Sequence, residues 1–296
     1  MGWRVCRTAW AALVLMAGWP VQAVQPAVVV YPGDDFRYAE YIAVLRKALD
    51  ETTSDFGPYV MRPASVSMNE PRFLFEARSG HLVNVVWSAT SKEKEKTLRP
   101  IRVPLSKGIL GYRILFIHES MQAQFAQVRS LKDLRRFRFC LGPGWGDVPI
   151  YRNAALHVDL AEYDSLLPMV EAGRCDAFSR GINEIFEESQ RMPKALSHVA
   201  IERRLMLHYP YPFYLFVTPS EENLARRIET GVRRMLGDGA FEQIFSTYNA
   251  EWIRRAKVEQ RLIIEMANPD LPPETPSEES GLWFVPRKAA AVRPPS

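Results

Sequence analysis

The chain has 296 residues, 47% of them hydrophobic, and carries a formal net charge of +4. This length and composition are sufficient for one large globular domain or two ordinary ones with a well-packed core. The nearly balanced charge lacks the basic excess of nucleic-acid-binding proteins, so no nucleic-acid partner is expected.

The first 23 residues have the pattern of a secretory signal peptide. Arg4 and Arg7 form a basic start, an apolar stretch follows at 9–18, and residues 21–23 form a small-residue cleavage site. A retained membrane anchor is the alternative, but the apolar stretch is much shorter than the roughly 20 residues that a spanning helix needs. We therefore expect cleavage after Ala23 and export of the mature chain.

The first part of the mature chain alternates between strand and helix patterns. Apolar runs at 27–31 and 82–87 predict buried strands, with a weaker strand at 59–61 between them. Amphipathic patterns at 38–53 and 71–79 predict two helices. The order β-α-β-α-β predicts a parallel sheet with helices on its faces.

A second strand-and-helix series follows. Its predicted strands lie at 111–117, 137–141, 175–178 and 213–217, and its predicted helices lie at 131–134, 148–155, 166–172, from about 183, at 221–236 and at 241–248. Two such series, with a late segment that returns after the second, indicate two α/β lobes joined by more than one crossing. The tail at 266–296 is rich in Pro, Ser and Glu and is expected to be extended or partly disordered.

Signals of catalysis and of metal binding are few. The motifs HExxH, GxSxG, GxxxxGK[ST] and paired CxxC are absent, and the five histidines lack metal-ligand spacing. No cofactor, no metal site and no enzymatic activity are therefore expected. Cys140 and Cys175 fit either a disulfide or two small buried side chains, and the sequence leaves both interpretations open.

Two segments at strand ends are candidate ligand-binding loops. GPGWGD, at 142–147, lies between a strand and a helix and can aim backbone N–H groups at a polar ligand, although a simple turn is the alternative. Trp145 favours a site, because an aromatic ring is costly to expose and suited to stacking. Arg180 follows the strand CDAF, where its guanidinium could hold a carboxylate, or could simply be exposed on a loop.

The order and content of four segments resemble bacterial periplasmic solute-binding proteins of family 3, which include the receptors for polar amino acids. The resemblance is carried by VVWSATSKEKEKTLRPIRVPLSKGILGYRILFI, LKDLRRFRFCLGPGWGD, CDAFSRGINEI and FYLFVTPSEENLARRIETGVRRMLGDGAFEQIF. It implies an α/β, two-lobed type II periplasmic-binding fold with a cleft between the lobes and two hinge crossings. The implied boundaries are 24–109 plus 210–265 for the first lobe, 110–209 for the second, and crossings near 108–111 and 209–212.

The same resemblance assigns ligand contacts. The strand end at 87–90 matches the segment that supplies backbone and hydroxyl contacts in this family, and GPGWGD and Arg180 occupy the facing positions of the second lobe. The expected ligand-binding residues are Trp87, Ser88, Thr90, Gly144, Trp145, Arg180, Tyr31 and Arg37.

Two positions depart from the amino-acid receptors of this family. The arginine that usually holds the α-carboxylate is matched here by Glu95, and the aspartate that usually holds the α-ammonium is matched by Gly181. A simple amino acid is therefore disfavoured, and a small anionic or aromatic ligand is expected.

The expected function is that of a monomeric periplasmic binding protein that closes on a small ligand for an ABC transporter permease or a sensor. One alternative is a partner-binding or regulatory protein with a degenerate cleft. Another is a dehydratase-like enzyme on the same fold, for which Asp34, Asp35, Asp147 and Glu184 would be the candidate general acids or bases.

Overall fold

The computed structural model describes residues 25–33 and 38–286, so the expected signal peptide lies outside the described residues. The strands are β1 (Ala27–Tyr31), β2 (Tyr59–Pro63), β3 (Val85–Ala89), β4 (Arg99–Leu105), β5 (Tyr112–His118), β6 (Arg138–Leu141), β7 (His157–Leu160), β8 (Ala177–Gly181), β9 (Val199–Ile201), β10 (Leu205–His208), β11 (Phe213–Val217) and β12 (Leu262–Glu265). The helices are α1 (Ala39–Asp50), α2 (Thr53–Phe56), α3 (Glu70–Ser79), α4 (Lys92–Thr97), α5 (Gln122–Phe125), α6 (Leu131–Leu134), α7 (Asp147–Asn153), α8 (Tyr163–Glu171), α9 (Ile185–Arg191), α10 (Glu222–Asp238) and α11 (Ala240–Ala256). In the described part of the chain, no helix has both the length and the apolar character needed to cross a bilayer.

The first lobe is built on two groups of strands joined by one asparagine. Strand β1 pairs in parallel with β2, and β11 lies between β3 and β4 with antiparallel pairing to both. The side chain of Asn84 accepts a hydrogen bond from the Val30 N–H and donates one to the Val28 carbonyl, both at 2.8 Å. Asn84 therefore connects β1 to the start of β3 and aligns the ends of these strands.

Helix α1 covers the first sheet with the face that its periodicity predicts. Tyr41, Leu45 and Leu49 are all buried, as expected from their spacing along one side of the helix. Helix α10 packs beside α1, and Gly231 lies so close to Ala48 that a Cβ atom at position 231 would be 2.0 Å from the Ala48 carbonyl oxygen. The two helices can approach this closely only because Gly231 has no side chain.

The second lobe contains a larger mixed sheet. Its strand order is β12-β10-β5-β8-β6-β7, and β9 also pairs with β5. Cys140 in β6 forms a disulfide with Cys175, with 5.9 Å between the Cα atoms, so of the two interpretations left open by the sequence the disulfide is the one present. This bond links β6 to the segment that leads into β8.

The end of the expected first lobe differs from the structure. Residues 210–265 were assigned to that lobe, but β12 pairs in parallel with β10 at the edge of the second sheet. The chain therefore returns to the second lobe after α11. A four-residue strand at a sheet edge carries too little periodicity for this return to be predicted.

The two expected crossings lie side by side. The first includes the turn Ser106–Gly111, where Ser106, Lys107 and Gly108 all have positive φ. A Cβ atom on Gly111 would be 2.1 Å from the carbonyl oxygen of Tyr209, which belongs to the second crossing. Close contact between the crossings places the hinge in one narrow region.

The described part of the tail packs across this hinge. The Phe284 N–H donates a hydrogen bond to the Lys107 carbonyl at 2.8 Å, and the Asn268 amide donates to the Pro210 carbonyl at 2.9 Å. Trp283 is 6% exposed. The tail thus contacts both crossings, although most of it has neither helix nor strand structure.

Candidate functional site

A cavity of about 910 Å³ lies between the two lobes. The first lobe contributes α1 and β11, and the second lobe contributes β5, the GPGWGD loop, β8 and α9. The charged and aromatic groups that matter most are Glu40, Tyr41, Arg113, Trp145, Asp147 and Arg180. This volume and the mixture of apolar walls with a few polar groups are typical of small-molecule sites.

Aromatic side chains form much of the cavity wall. The first lobe provides Tyr38, Tyr41 and Phe213, and the Tyr41 ring packs against the other two, with centroids 6.1 Å from Tyr38 and 5.5 Å from Phe213. The second lobe provides Trp145 and Tyr163, with centroids 6.4 Å apart. A flat ligand could therefore contact rings from both lobes at once.

Arg180 is buried in the cavity wall and is paired with two carboxylates. Its Nε lies 2.9 Å from each oxygen of Glu188, and its Nη2 lies 2.8 Å from Glu184 Oε1. Burial acts to lower the pKa of this guanidinium, but Glu184 and Glu188 raise it above its ordinary value. Arg180 is therefore always charged, and its charge is already neutralised within the protein.

The guanidinium of Arg180 also lies among aromatic rings. The guanidinium carbon, Cζ, is 5.2 Å from the ring centroid of Trp145, 5.7 Å from that of Tyr163 and 5.5 Å from that of Phe178. Cations within about 6 Å of an aromatic face are attracted by the ring quadrupole. This part of the cavity already has the composition of a cation-binding cage.

A second buried ion pair joins the second lobe to the hinge. Arg113 and Asp147 are almost completely buried and lie 2.6 Å apart. Arg113 Nε donates to the Tyr209 hydroxyl at 2.9 Å, and the hydroxyls of Tyr209 and Tyr211 both donate to Asp147. Burial acts to lower the pKa of Arg113, but Asp147 raises it well above the ordinary value, so the guanidinium of Arg113 stays charged.

Glu40 is a buried carboxyl group at the start of α1. It is 7% exposed and accepts a hydrogen bond from the Ser106 hydroxyl at 2.6 Å, next to the first crossing. Burial raises the pKa of Glu40 to about 7, and hydrogen bonds from Ser106 and Asn249 oppose that rise. Near neutral pH the group is therefore divided between its two protonation states.

We expect Glu40 to make the fold less stable as pH rises. Its pKa is 4.5 when unperturbed and about 7 in the folded protein, so between these values the folded state binds more protons than the unfolded state. The free energy of unfolding should fall by about 3 kcal/mol between pH 4.5 and 7 from this group alone. Urea unfolding should be measured at pH 5 and at pH 7.5. The free energy of unfolding should fall less between these two pH values in Glu40→Gln than in the parent protein. Equal losses in the two proteins would contradict this assignment.

The expected ligand residues fall into two groups in the structure. Trp145 and Arg180 line the cavity, and Gly144 lies in the exposed turn before Trp145 with a φ of +77°. Trp87 and Tyr31 are buried behind the cavity wall. The Trp87 ring lies 5.1 Å from that of Tyr38 and supports it from behind, and Arg37 lies outside the described residues.

The two expected hydroxyl contacts are directed to neighbours in their own lobe. The Thr90 hydroxyl donates to Glu95 at 2.6 Å, and the other oxygen of Glu95 is 2.6 Å from Arg102. Ser88 donates to Glu70 at 2.5 Å and accepts from Lys94 Nζ at 2.6 Å. Both hydroxyls are buried, and neither residue is part of the cavity lining.

Several lining residues were not identified from the sequence. Arg113 could have been recognised as a candidate site residue, because it is a single arginine within the otherwise apolar strand YRILFI. Tyr211 lies in the second expected crossing, near 209–212, for which the sequence predicts no ligand contact. Glu40 had no such signal, because an acidic residue in the first turn of a helix is usually solvent-exposed and favoured by the helix dipole. Among the described residues, no cluster of three or more His, Cys, Asp or Glu side chains could hold a metal ion.

Comparisons with known proteins identify the fold. No family model matches the chain, and no curated protein matches it. An ancestral arginine-binding protein solved with arginine is similar at a TM-score of 0.54 and 15% identity, covering 76% of this chain and 98% of that one. An ancestral amino-acid-binding protein, described as a precursor of cyclohexadienyl dehydratase, is similar at a TM-score of 0.53 and 11% identity, covering 75% and 94%. A histidine kinase sensor domain with similarity to periplasmic binding proteins is similar at a TM-score of 0.52 and 15% identity, covering 76% and 96%.

These similarities confirm the expected α/β fold with two lobes. Structural neighbours among the periplasmic amino-acid-binding proteins cover most of the described chain. At this level of identity they establish the fold, and the function has to be argued from the residues of the cleft.

Proposed function

We propose that this protein is a periplasmic solute-binding receptor whose lobes close on a small ligand and present the closed form to a transporter permease or a sensor. The observation that carries the proposal is the 910 Å³ cavity, which is lined by aromatic and charged groups from both lobes. A ligand that touches both walls only when they are close together favours the closed state by its differential affinity. The positive φ values in the first crossing mark a segment suited to such a hinge.

An aromatic or flat apolar ligand is the better supported part of the expected ligand chemistry. Tyr38, Tyr41 and Phe213 face the cleft from one side, and Trp145 and Tyr163 face it from the other. The expectation of an anion rested on Arg180, whose guanidinium is paired with two carboxylates. The charge of the ligand therefore has to be inferred from the whole cavity lining.

A degenerate cleft in a partner-binding protein is the second candidate. The pairing of Arg180 favours it, because a protein side chain already occupies a cage that could otherwise hold a ligand cation.

An enzymatic role is less well supported. Asp147 and Glu184 both line the cavity, but each is paired with an arginine and would have to break that charge-assisted contact to act on a substrate. Asp34 and Asp35 lie outside the described residues.

A ligand screen tests the receptor function. Native mass spectrometry of the mature protein, followed by thermal-shift measurements with amines, carboxylates, amino acids and aromatic metabolites, should find one class that stabilises the fold at one molecule per chain. Trp145→Ala should weaken that binding roughly tenfold, because a ring that contacts the ligand is removed. Phe75→Ala is the matched control, since Phe75 is 66% exposed and outside the cavity lining. Absence of any bound mass and of any shift would contradict the receptor function and favour the degenerate cleft.

A further inference from the structure

The described cavity lining contains more acidic than basic side chains. It contains seven carboxyl groups and three arginines, and no lysine or histidine. A cleft lined by one sign of charge concentrates ligands of the opposite sign and repels ligands of the same sign. The field inside this cleft therefore favours a cation.

All three arginines of the described lining are engaged by carboxylates. Arg113 is paired with Asp147, and Arg180 with Glu184 and Glu188. Arg191 lies 2.8 Å from Glu187. At the buried Arg113 and Arg180, a carboxylate on the ligand would compete with these partners for charge-assisted hydrogen bonds, whereas the Arg191 side chain is 58% exposed and its pair is weaker.

Carboxyl groups remain after these pairs are formed. Glu40 is hydrogen-bonded to Ser106, and it has no cation within ion-pair distance among the described residues. Asp164 lines the opposite wall at the start of α8 and likewise has no such cation in the described part of the chain. These two groups can accept hydrogen bonds from an ammonium group that enters the cleft.

The contacts of Arg180 show which groups of the lining stabilise a cation. Its guanidinium is stabilised by Trp145, Tyr163 and Phe178 together with the carboxylate of Glu188. Across the cavity, Tyr38 and Tyr41 offer the same combination of ring and carboxylate, beside Glu40. An ammonium group carried on an aromatic frame would be stabilised by the same physical interactions.

Glu95 and Gly181 stand at the two positions that hold an α-amino acid in the receptors this sequence resembles. Neither position provides a side chain that could hold the α-carboxylate or the α-ammonium group. Glu95 is turned to Thr90 and Arg102. The backbone N–H of Gly181 donates to Glu184 at 2.8 Å. We infer that, if the protein is the receptor proposed above, its cleft selects an aromatic amine that has no carboxylate.

Four indole compounds separate charge from shape. Isothermal titration should be run with tryptamine, neutral indole-3-ethanol, anionic indole-3-acetate and zwitterionic tryptophan. Tryptamine should bind at least about tenfold more tightly than indole-3-ethanol, and indole-3-acetate should bind more weakly than either, as expected for a desolvated charge in a complementary site. The affinity for tryptamine should also fall as salt is added.

A variant pair tests whether the carboxylates cause this preference. Asp164→Asn should lower the affinity for tryptamine about threefold and leave that for indole-3-ethanol unchanged, because only the charged ligand senses the lost carboxylate. Glu229→Gln is the matched control, since Glu229 lies on α10, pairs with Arg233 and is outside the cavity lining.

The outcomes distinguish this inference from the receptor function itself. Tighter binding of indole-3-acetate or tryptophan than of tryptamine would overturn the amine preference and leave the receptor function standing. The same conclusion follows if tryptamine fails to bind at millimolar concentration while another compound stabilises the protein in the ligand screen. If no compound binds in either experiment, both proposals are wrong.

Discussion

Gly231→Ala is expected to destabilise the protein by about 3 kcal/mol, as an overpacking substitution between two helices. The added Cβ would lie 2.0 Å from the Ala48 carbonyl oxygen and 2.7 Å from the Ala48 Cα. These atoms belong to the backbone of α1, so no side-chain rotation can relieve the contact. Helices α1 and α10 would have to move apart, and the apolar residues between them would lose packing. Urea unfolding followed by circular dichroism measures the change.

Gly237→Ala in the same helix provides the matched control. Apart from its chain neighbours and the backbone of its own helix, no atom lies within 4 Å of the Cβ position of Gly237, so the substitution adds no clash with another element. Alanine is favoured over glycine inside a helix by about 1 kcal/mol, so this variant should be slightly more stable than the parent. Opposite signs at the two glycines are the expected result. A stabilising effect of Gly231→Ala would mean that α1 and α10 are not packed as closely as described here.

The long helices and the central strands could be predicted because their patterns extend over several turns or residues. Strand β11 has the predicted bounds, and α1 buries the predicted face. Strand β4 was missed, since RPIRVPL contains two prolines and follows a charged segment. Prolines are tolerated there because β4 is at the edge of its group, and the position of a strand within a sheet is fixed by pairing that the sequence does not display.

The sequence could predict which strand ends come together at the candidate site, but it could not predict how the side chains there pair with one another. Trp145 and Arg180 reach the cavity, as expected of side chains at the carboxyl ends of strands. The charge of the site was harder to predict, because it depends on how arginines and carboxylates pair in space. The partners of Arg180 follow it by four and eight residues, so a helix starting near 185 could have indicated them. The partners of Arg113 come from three other segments, and only the folded structure brings them together.

The pair Arg113–Asp147 leads to the second large expected effect. Asp147→Asn should lower the free energy of unfolding by about 3 to 5 kcal/mol, because it leaves a buried guanidinium without its closest charge partner. Glu184, which is 3.2 Å from Arg113, compensates only in part. Glu251→Gln is the control, since Glu251 pairs with Arg254 at 2.6 Å but both side chains are more than half exposed. Loss of that surface pair should cost less than about 1 kcal/mol.

A double variant separates the loss of the pair from the burial of an unpaired charge. Arg113→Met combined with Asp147→Leu removes both charges and keeps apolar volume, so it should recover part of the stability lost in Asp147→Asn. Recovery should be incomplete, because the hydroxyls of Tyr209 and Tyr211 lose the carboxylate that accepts their hydrogen bonds. If Asp147→Asn unfolds at the same urea concentration as the parent protein, the pair does not hold the second lobe to the hinge. If the double variant is the least stable of the three, the stabilisation comes from the tyrosine hydrogen bonds, and the opposite charges contribute little.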